Sequence, residues 1–211
     1  MNENVKKLWS DEWEENATIE ESASIIGKWL RRQRIKITRK MLAKLPKSLT
    51  VIDTGCGGGT TLTVIREAGF SNSIGIDFVE SALKQCERKG FVVNKDVYLV
   101  DAADTKYPDR HFDILFEEGL WEHFEDPKPF MDEACRICDK WMLVIQPNHF
   151  SFVGGILHWL WKVLGAGGVF EYSFTMEYFV DYLKNNGFVL KEKVMTMFDE
   201  QAVMLFRRNT E

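Results

Sequence analysis

Four glycines stand within five positions at residues 55–59, in "VIDTGCGGGTTL", and only Cys56 interrupts them. Glycine forfeits packing and costs backbone entropy, so such a run marks a place where main chain turns tightly or meets a ligand. Four acids surround the loop in sequence. Asp53 precedes it, Asp77 closes "SIGID" about 20 residues after Gly57, and Glu117 and Glu118 close "FDILFEE". A glycine loop between a strand and a helix aims backbone N–H groups at a ligand, and an acid at this distance can accept two hydrogen bonds from a ribose diol. The pattern predicts a site for a nucleoside-bearing ligand.

The elements that must hold these residues follow from the alternation of apolar runs and amphipathic stretches. "LTVID", "SIGID", "VYLVD", "FDILFEEG" and "WMLVIQP" read as five strands. "TLTVIREAG", "VESALKQCERKG", "PKPFMDEACRICD" and "TMEYFVDYLKNNG" read as helices, three of them stopped by glycine. "FVLKEKVMTMF" and "QAVMLFRR", linked by "DE", read as two last strands. Such βα units imply an α/β, Rossmann-like, doubly wound and mostly parallel sheet of seven strands, and the short final link makes an antiparallel edge hairpin. Ligands of open α/β sheets bind beyond the carboxyl ends of the strands, where all four acids and the glycine loop fall.

The expected organisation is a single domain over 1–211. It comprises a helical cap at 1–46, a cofactor-binding core at 47–147, a lid-like insertion at 148–172, and a C-terminal helix and hairpin at 173–211. An apolar share of 45% suffices for a core, and the net charge of −5 argues against general nucleic-acid binding. The charge is uneven: residues 28–47 hold nine Lys or Arg and no acid. That segment reads as a solvated helix face, with an anionic substrate or lipid headgroup as the sharper reading. Four cysteines without a disulfide framework read as reduced thiols. "MNENVKKLWSDEWEEN" is too polar for a secretory signal, so the expected location is cytoplasmic. "CRIC" at 135–138 has CxxC spacing but stands alone, which disfavours zinc or redox duty, and no metal is expected.

The nucleoside is narrowed by what the loop lacks. A dinucleotide fingerprint needs a third glycine where Thr60 stands, and the acids oppose an unshielded pyrophosphate. They suit a cationic ligand such as S-adenosylmethionine. The chain resembles the class I S-adenosylmethionine-dependent methyltransferases of the small-molecule type. "VIDTGCGGG" is similar to that family's first motif, "GID" to its ribose-binding acid, and "VDAADTKYPDRHFDILFEEGLWEHFEDP" to its third and fourth motifs, over roughly residues 48–147. The resemblance implies that Gly55, Cys56 and Gly57 approach the methionine part, and that Asp77 holds the ribose with Phe78 beside the adenine. It further implies that Asp101 and the Ala102 N–H read the adenine and that Glu117 lies under the methionine end. Thr105–Lys106–Tyr107 replaces the family's Leu-Pro-Phe and makes that rim more polar.

Methyl transfer is an in-line displacement in which the protein aligns the acceptor, excludes water and, for a hydroxyl or amine, removes a proton. His123 and Glu118 are the candidate bases; a capping imidazole and a cofactor-binding or solvated acid are their structural alternatives. His149, Trp159 and Tyr172 are the candidate acceptor contacts, while His111 reads as exposed. The apolar stretch 150–172, bracketed by glycines, reads as a lid over a small-molecule acceptor, with a packed helix or a membrane-surface contact as alternatives. The N-terminal helices, with Trp9, Trp13 and Trp29, are expected to close over the cofactor. Two other functions remain open at this level: a non-catalytic S-adenosylmethionine-binding subunit and a nicotinamide-dependent oxidoreductase.

Overall fold

The computed structural model describes residues 7–11, 13, 25–152, 155–156, 159 and 171–209. Most of the expected lid and part of the N-terminal cap lie outside the described residues. After a helical stretch at 7–11, helix α1 runs Ile25–Leu42. Then follow β1 (Val51–Thr54), α2 (Thr60–Glu67), β2 (Ser73–Asp77), α3 (Glu80–Arg88), β3 (Val97–Leu99) and β4 (Phe112–Glu118). A 3₁₀ turn at Trp121–His123 leads to α4 (Lys128–Ile137), β5 (Cys138–Pro147), α5 (Met176–Asn185), β6 (Phe188–Met195) and β7 (Gln201–Arg208).

The seven strands form one sheet in the order β3-β2-β1-β4-β5-β7-β6. β1 pairs in parallel with β2 and β4 on either side, and all four of its residues are buried. Burial on both faces explains why "VIDT" is β-branched or apolar except at the acid. One face packs against α1 and α2 through Met41, Leu42, Leu45, Ile65 and Phe116. The other packs against α4 and α5 through Ile52, Trp121, Phe130, Phe179 and Phe206. α4 accepts Pro129 in its first turn, where a missing N–H has no intrahelical partner to lose.

The final hairpin is antiparallel and lies at the sheet edge, as expected, with its first strand outermost. β7 inserts between β5 and β6 and runs antiparallel to both. Its "AVMLF" is wholly buried, which an edge position would not allow. The link is also longer than "DE": β6 stops at Met195, and a turn at Met197–Asp199 takes left-handed backbone at Phe198 (φ 66°) and Asp199 (φ 53°).

β5 begins at Cys138, three residues ahead of its expected start at Trp141. The Arg208 guanidinium bonds the carbonyls of Cys135 and Cys138, so chain passes from helix to strand with no linker. "CRIC" is thereby split between α4 and β5. Both thiols are buried, and burial pushes each up to about 12.

Candidate functional site

The glycine loop joins β1 to α2 by turning through left-handed backbone at Gly55 (φ 70°), Gly57 (φ 50°) and Gly59 (φ 77°). Side-chained residues adopt that region only at a cost, so the alternation of glycines follows from the turn itself. Space matters as much as torsion. A Cβ on Gly57 would stand 2.6 Å from the Trp13 indole, and one on Gly55 would stand 3.1 Å from Leu120. The first N–H groups of the loop, Gly55 and Cys56, both donate to the Ile76 carbonyl at 2.9 Å, which ties the loop to the end of β2.

Asp77 completes that tie. Its Oδ2 accepts from the Gly57 N–H and its Oδ1 from the Val79 N–H, each at 2.9 Å. Burial raises its carboxyl to about 6, although hydrogen bonds from Val79, Gly57 and Phe78 pull the other way. Each oxygen keeps a lone pair for a ligand hydroxyl. Behind the loop, Asp53 is almost wholly buried, and its Oδ2 has no hydrogen-bond partner. Burial first, then the charges of Glu118, Cys86, Asp77 and Glu117, push this carboxyl well above the ordinary range. The Cys56 thiol turns away toward Gly75 and Cys86. Hydrogen bonding with Cys86, then burial, raises it well above a free thiol, so it is no nucleophile.

Gly55, Cys56, Gly57, Gly58 and Asp77 line a cleft of about 220 Å³ together with Trp9, Trp13, Arg31, Thr60, Thr61, Phe78, Val79, Glu118, Gly119 and Leu120, while Asp53 lies behind its wall. The cleft thus has a main-chain floor, an acidic end at Asp77 and an aromatic cover. Trp13 is fastened by its carbonyl, which accepts from Gln85 Nε2 at 3.2 Å. Trp9 meets the His123 ring edge-on, with centroids 4.8 Å apart. Of the tryptophans expected here, Trp9 and Trp13 line the cleft and Trp29 does not, and sequence reasoning missed Arg31 and Arg34. Their signal was the helical period: one turn apart on α1, they share the face that meets the sheet, where the basic run had been read as solvated. Arg34 grips Glu118 at 2.6 Å and donates to Gln201 Oε1 at 2.9 Å.

Not every expected residue meets in the cleft. Glu118 lines it, but its Oε2 accepts from Thr61 Oγ1 at 2.8 Å and its Oε1 faces Arg34, so it is held as a paired carboxylate. Glu117 lies behind the wall, fully buried. Its Oε1 accepts from the N–H groups of Leu120 and Trp121, its Oε2 from Gln146 Nε2 at 2.8 Å, and burial raises it to about 7. Asp101 and Ala102 stand just past β3, outside the cleft wall, with Asp101 Oδ1 accepting from the Ala103 N–H at 2.9 Å. His123 is half-buried in the 3₁₀ turn beneath Trp9.

A second polar group, off the end of β5, gathers two of the three expected acceptor contacts, His149 and Tyr172. His149 contacts Ser173 Oγ through Nδ1 at 3.2 Å and Glu171 Oε2 through Nε2 at 3.0 Å. The Tyr172 N–H donates to the Glu122 carbonyl at 2.7 Å, which fastens this segment to the turn after β4. Trp159 is exposed instead. Glu122 itself went unnoticed in the sequence. It is buried, Oε2 lacks a partner, and burial followed by Glu117 and Glu171 pushes its carboxyl well above the ordinary range. Its Oε1 lies 3.8 Å from where a Cβ on Gly119 would be, directly behind the cleft wall. Among the described residues, no three His, Cys, Asp or Glu side chains are arranged to hold a metal ion.

The donor set fits S-adenosylmethionine. Main-chain glycines allow close approach, Asp77 offers two acceptors at a strand end, and the orphaned Asp53 oxygen lies in an acid-rich end suited to a cation. Comparison with known proteins agrees. Residues 52–141 match a family model described as "Methyltransferase domain". The mitochondrial ubiquinone biosynthesis O-methyltransferase of Dictyostelium discoideum is 27% identical over 164 residues, covering 68% of this chain and 48% of that protein. The phosphatidylethanolamine N-methyltransferase of Cereibacter sphaeroides is 28% identical over 108 residues, covering 48% of this chain and 51% of that one. The chain thus spans about half the length of these curated relatives. In fold, the magnesium protoporphyrin IX methyltransferase from Synechocystis PCC 6803, crystallised with bound SAM, superposes with a TM-score of 0.70 over 97% of both chains at 17% identity. Residues 52–141 of this chain thus match the methyltransferase-domain family model, and the fold is the one found in a methyltransferase crystallised with S-adenosylmethionine.

Proposed function

We propose that the protein transfers a methyl group from S-adenosylmethionine to a small-molecule acceptor. The observation that carries this reading is Asp77, whose carboxylate closes the glycine loop through the Gly57 N–H while facing the cleft. Small-molecule acceptors are supported by the relatives, which are named for ubiquinone biosynthesis and for phosphatidylethanolamine. S-adenosylmethionine supplies a methyl carbon already activated by positive sulfur.

The chain's own residues bind, orient and exclude water. Asp77 accepts from the ribose hydroxyls, and Phe78 flanks the adenine, with Asp101 and the Ala102 N–H reading its edge. Gly55, Cys56 and Gly57 present main chain to the methionine part, and the acid Asp53 favours its cationic end. Glu117 serves this end indirectly, by fixing the Gly119–Leu120 loop beneath it. Trp9 and Trp13 keep water from the cleft. His123 receives the acceptor's proton; Glu118 is the weaker candidate because Arg34 and Thr61 already engage both of its oxygens. His149 and Tyr172 border the acceptor side.

Calorimetric titration with S-adenosylmethionine and with NAD tests the reading. The first is expected to bind in the micromolar range, about −8 kcal/mol, and the second not at all. Binding of NAD alone would replace methyl transfer with hydride chemistry. Tight S-adenosylmethionine binding without turnover of any offered acceptor would favour a non-catalytic binding subunit.

A further inference from the structure

Beside the cleft, at the same end of the sheet, a group of large apolar side chains stands in solvent. Residues 152, 155, 156 and 159 are helical, and three of them are the large apolar Phe152, Ile156 and Trp159. They are 84%, 43% and 61% exposed. Phe150, just before them, is 65% exposed. The β6–β7 turn adds Met197 and Phe198, both exposed. The Asn148 N–H donates to the Glu200 carbonyl at 2.7 Å, which brings the two apolar tips together. Soluble surfaces rarely carry so much contiguous apolar area without a use.

The charge around these tips identifies the occupant. Arg34 of α1 donates to Gln201, at the foot of the same turn, so the start of α1 flanks the apolar group. Along that helix Lys28, Arg32 and Lys36 recur every four residues and are exposed. The protein is acidic overall, yet its acid-free basic run is the segment set beside the most exposed aromatics among the described residues. Asp199 is the exposed acid in the turn. Protruding aromatic and aliphatic tips next to a row of cations are what an interfacial contact with anionic lipid requires: apolar groups enter the acyl boundary while cations remain at the headgroups. Among the described residues no helix is long and apolar enough to cross a membrane. We propose that this face docks the protein on an anionic bilayer surface, through Phe152, Trp159 and Phe198 with support from the α1 cations. The inference stands apart from the chemistry in the cleft, because it uses no residue that lines it.

Flotation of the full chain with lipid vesicles tests the proposal. Wild type is expected to float with vesicles that contain phosphatidylglycerol as about a third of their lipid, and to float weakly with phosphatidylcholine alone. The triple variant Phe152→Ser/Trp159→Ser/Phe198→Ser should lose roughly tenfold or more in partitioning with an unchanged unfolding midpoint. Arg32→Glu/Lys36→Glu should lose the preference for phosphatidylglycerol. Failure of wild type to float, or equal flotation of the triple variant, overturns the proposal. So does a wild-type dimer that the triple substitution dissociates without any vesicle binding, which would make the face a contact between copies.

Discussion

Glu117→Gln should stabilise the fold, and mostly at alkaline pH. Glu117 is fully buried at the end of a central strand, with its oxygens taken up by Leu120, Trp121 and Gln146. Its carboxyl ionises near 4.5 in a solvated chain and near 7 in the fold, because burial outweighs those hydrogen bonds and Glu118 adds to the shift. Between these values the folded protein keeps a proton that the unfolded chain has released. The group's contribution to stability therefore falls as pH rises through this window, and the deficit is complete above about 7. At about 1.36 kcal/mol for each pH unit of separation, the deficit is about 3 kcal/mol.

Glutamine removes the charge and can keep the bonds. Its Oε1 can accept from Leu120 and Trp121 as before. Its Nε2 needs an acceptor where Gln146 Nε2 now donates, and Gln146 Oε1, which lacks a partner, supplies one when that amide rotates. Glu122 gains as well, since Glu117 is one of the charges that raise it. Urea unfolding of the cofactor-free protein at pH 5 and at pH 8.5 is the assay. The variant should match wild type within about 1 kcal/mol at the lower pH and exceed it by up to about 3 kcal/mol at the higher. An equal difference at both values, or a loss at pH 8.5, would show that Glu117 is not the strained carboxylate described here.

Other contacts carry further outcomes. Asp77→Ala should weaken S-adenosylmethionine binding by about 1–3 kcal/mol in calorimetry, the usual loss of charge-assisted hydrogen bonds. Because burial raises Asp77 to about 6, wild-type affinity should also strengthen as pH rises through that value and the carboxylate forms; a flat profile would mean that Asp77 does not contact the ribose. Arg34→Met should cost about 1–2 kcal/mol in urea unfolding, since it leaves Glu118 paired only with Thr61. His123→Ala should slow turnover with near-normal cofactor affinity, and unchanged turnover would remove His123 as the base.

The sheet was legible because its strands are short apolar runs punctuated by glycine, and "SIGID" coincides with β2 at both ends. The boundary at Cys138 was not, because it is made by Arg208, seventy residues away, capping two carbonyls. A side chain that distant leaves no local mark. The glycine loop and Asp77 were legible for the opposite reason: torsion and close approach act on the residues themselves. The roles within the acidic group divided along the same line. Type and spacing announce that Glu117 and Glu118 end a strand, but whether each is buried or paired depends on Gln146 and on Arg34 of α1, which sequence distance conceals.

The acids at the strand ends share one physical condition. Asp53, Asp77, Glu117 and Glu122 are all buried, and burial raises every one of them. A fold selected for stability alone would replace them with apolar groups of similar size. Two of them, Asp53 and Glu122, retain an oxygen with no partner, one behind the glycine loop and one behind Gly119. A cation in the cleft would lower the carboxyls whose oxygens stand unpaired, so cofactor binding should release protons. The strain held in these acids is thus oriented toward a positively charged ligand, which is the charge that the sulfonium and ammonium of S-adenosylmethionine carry.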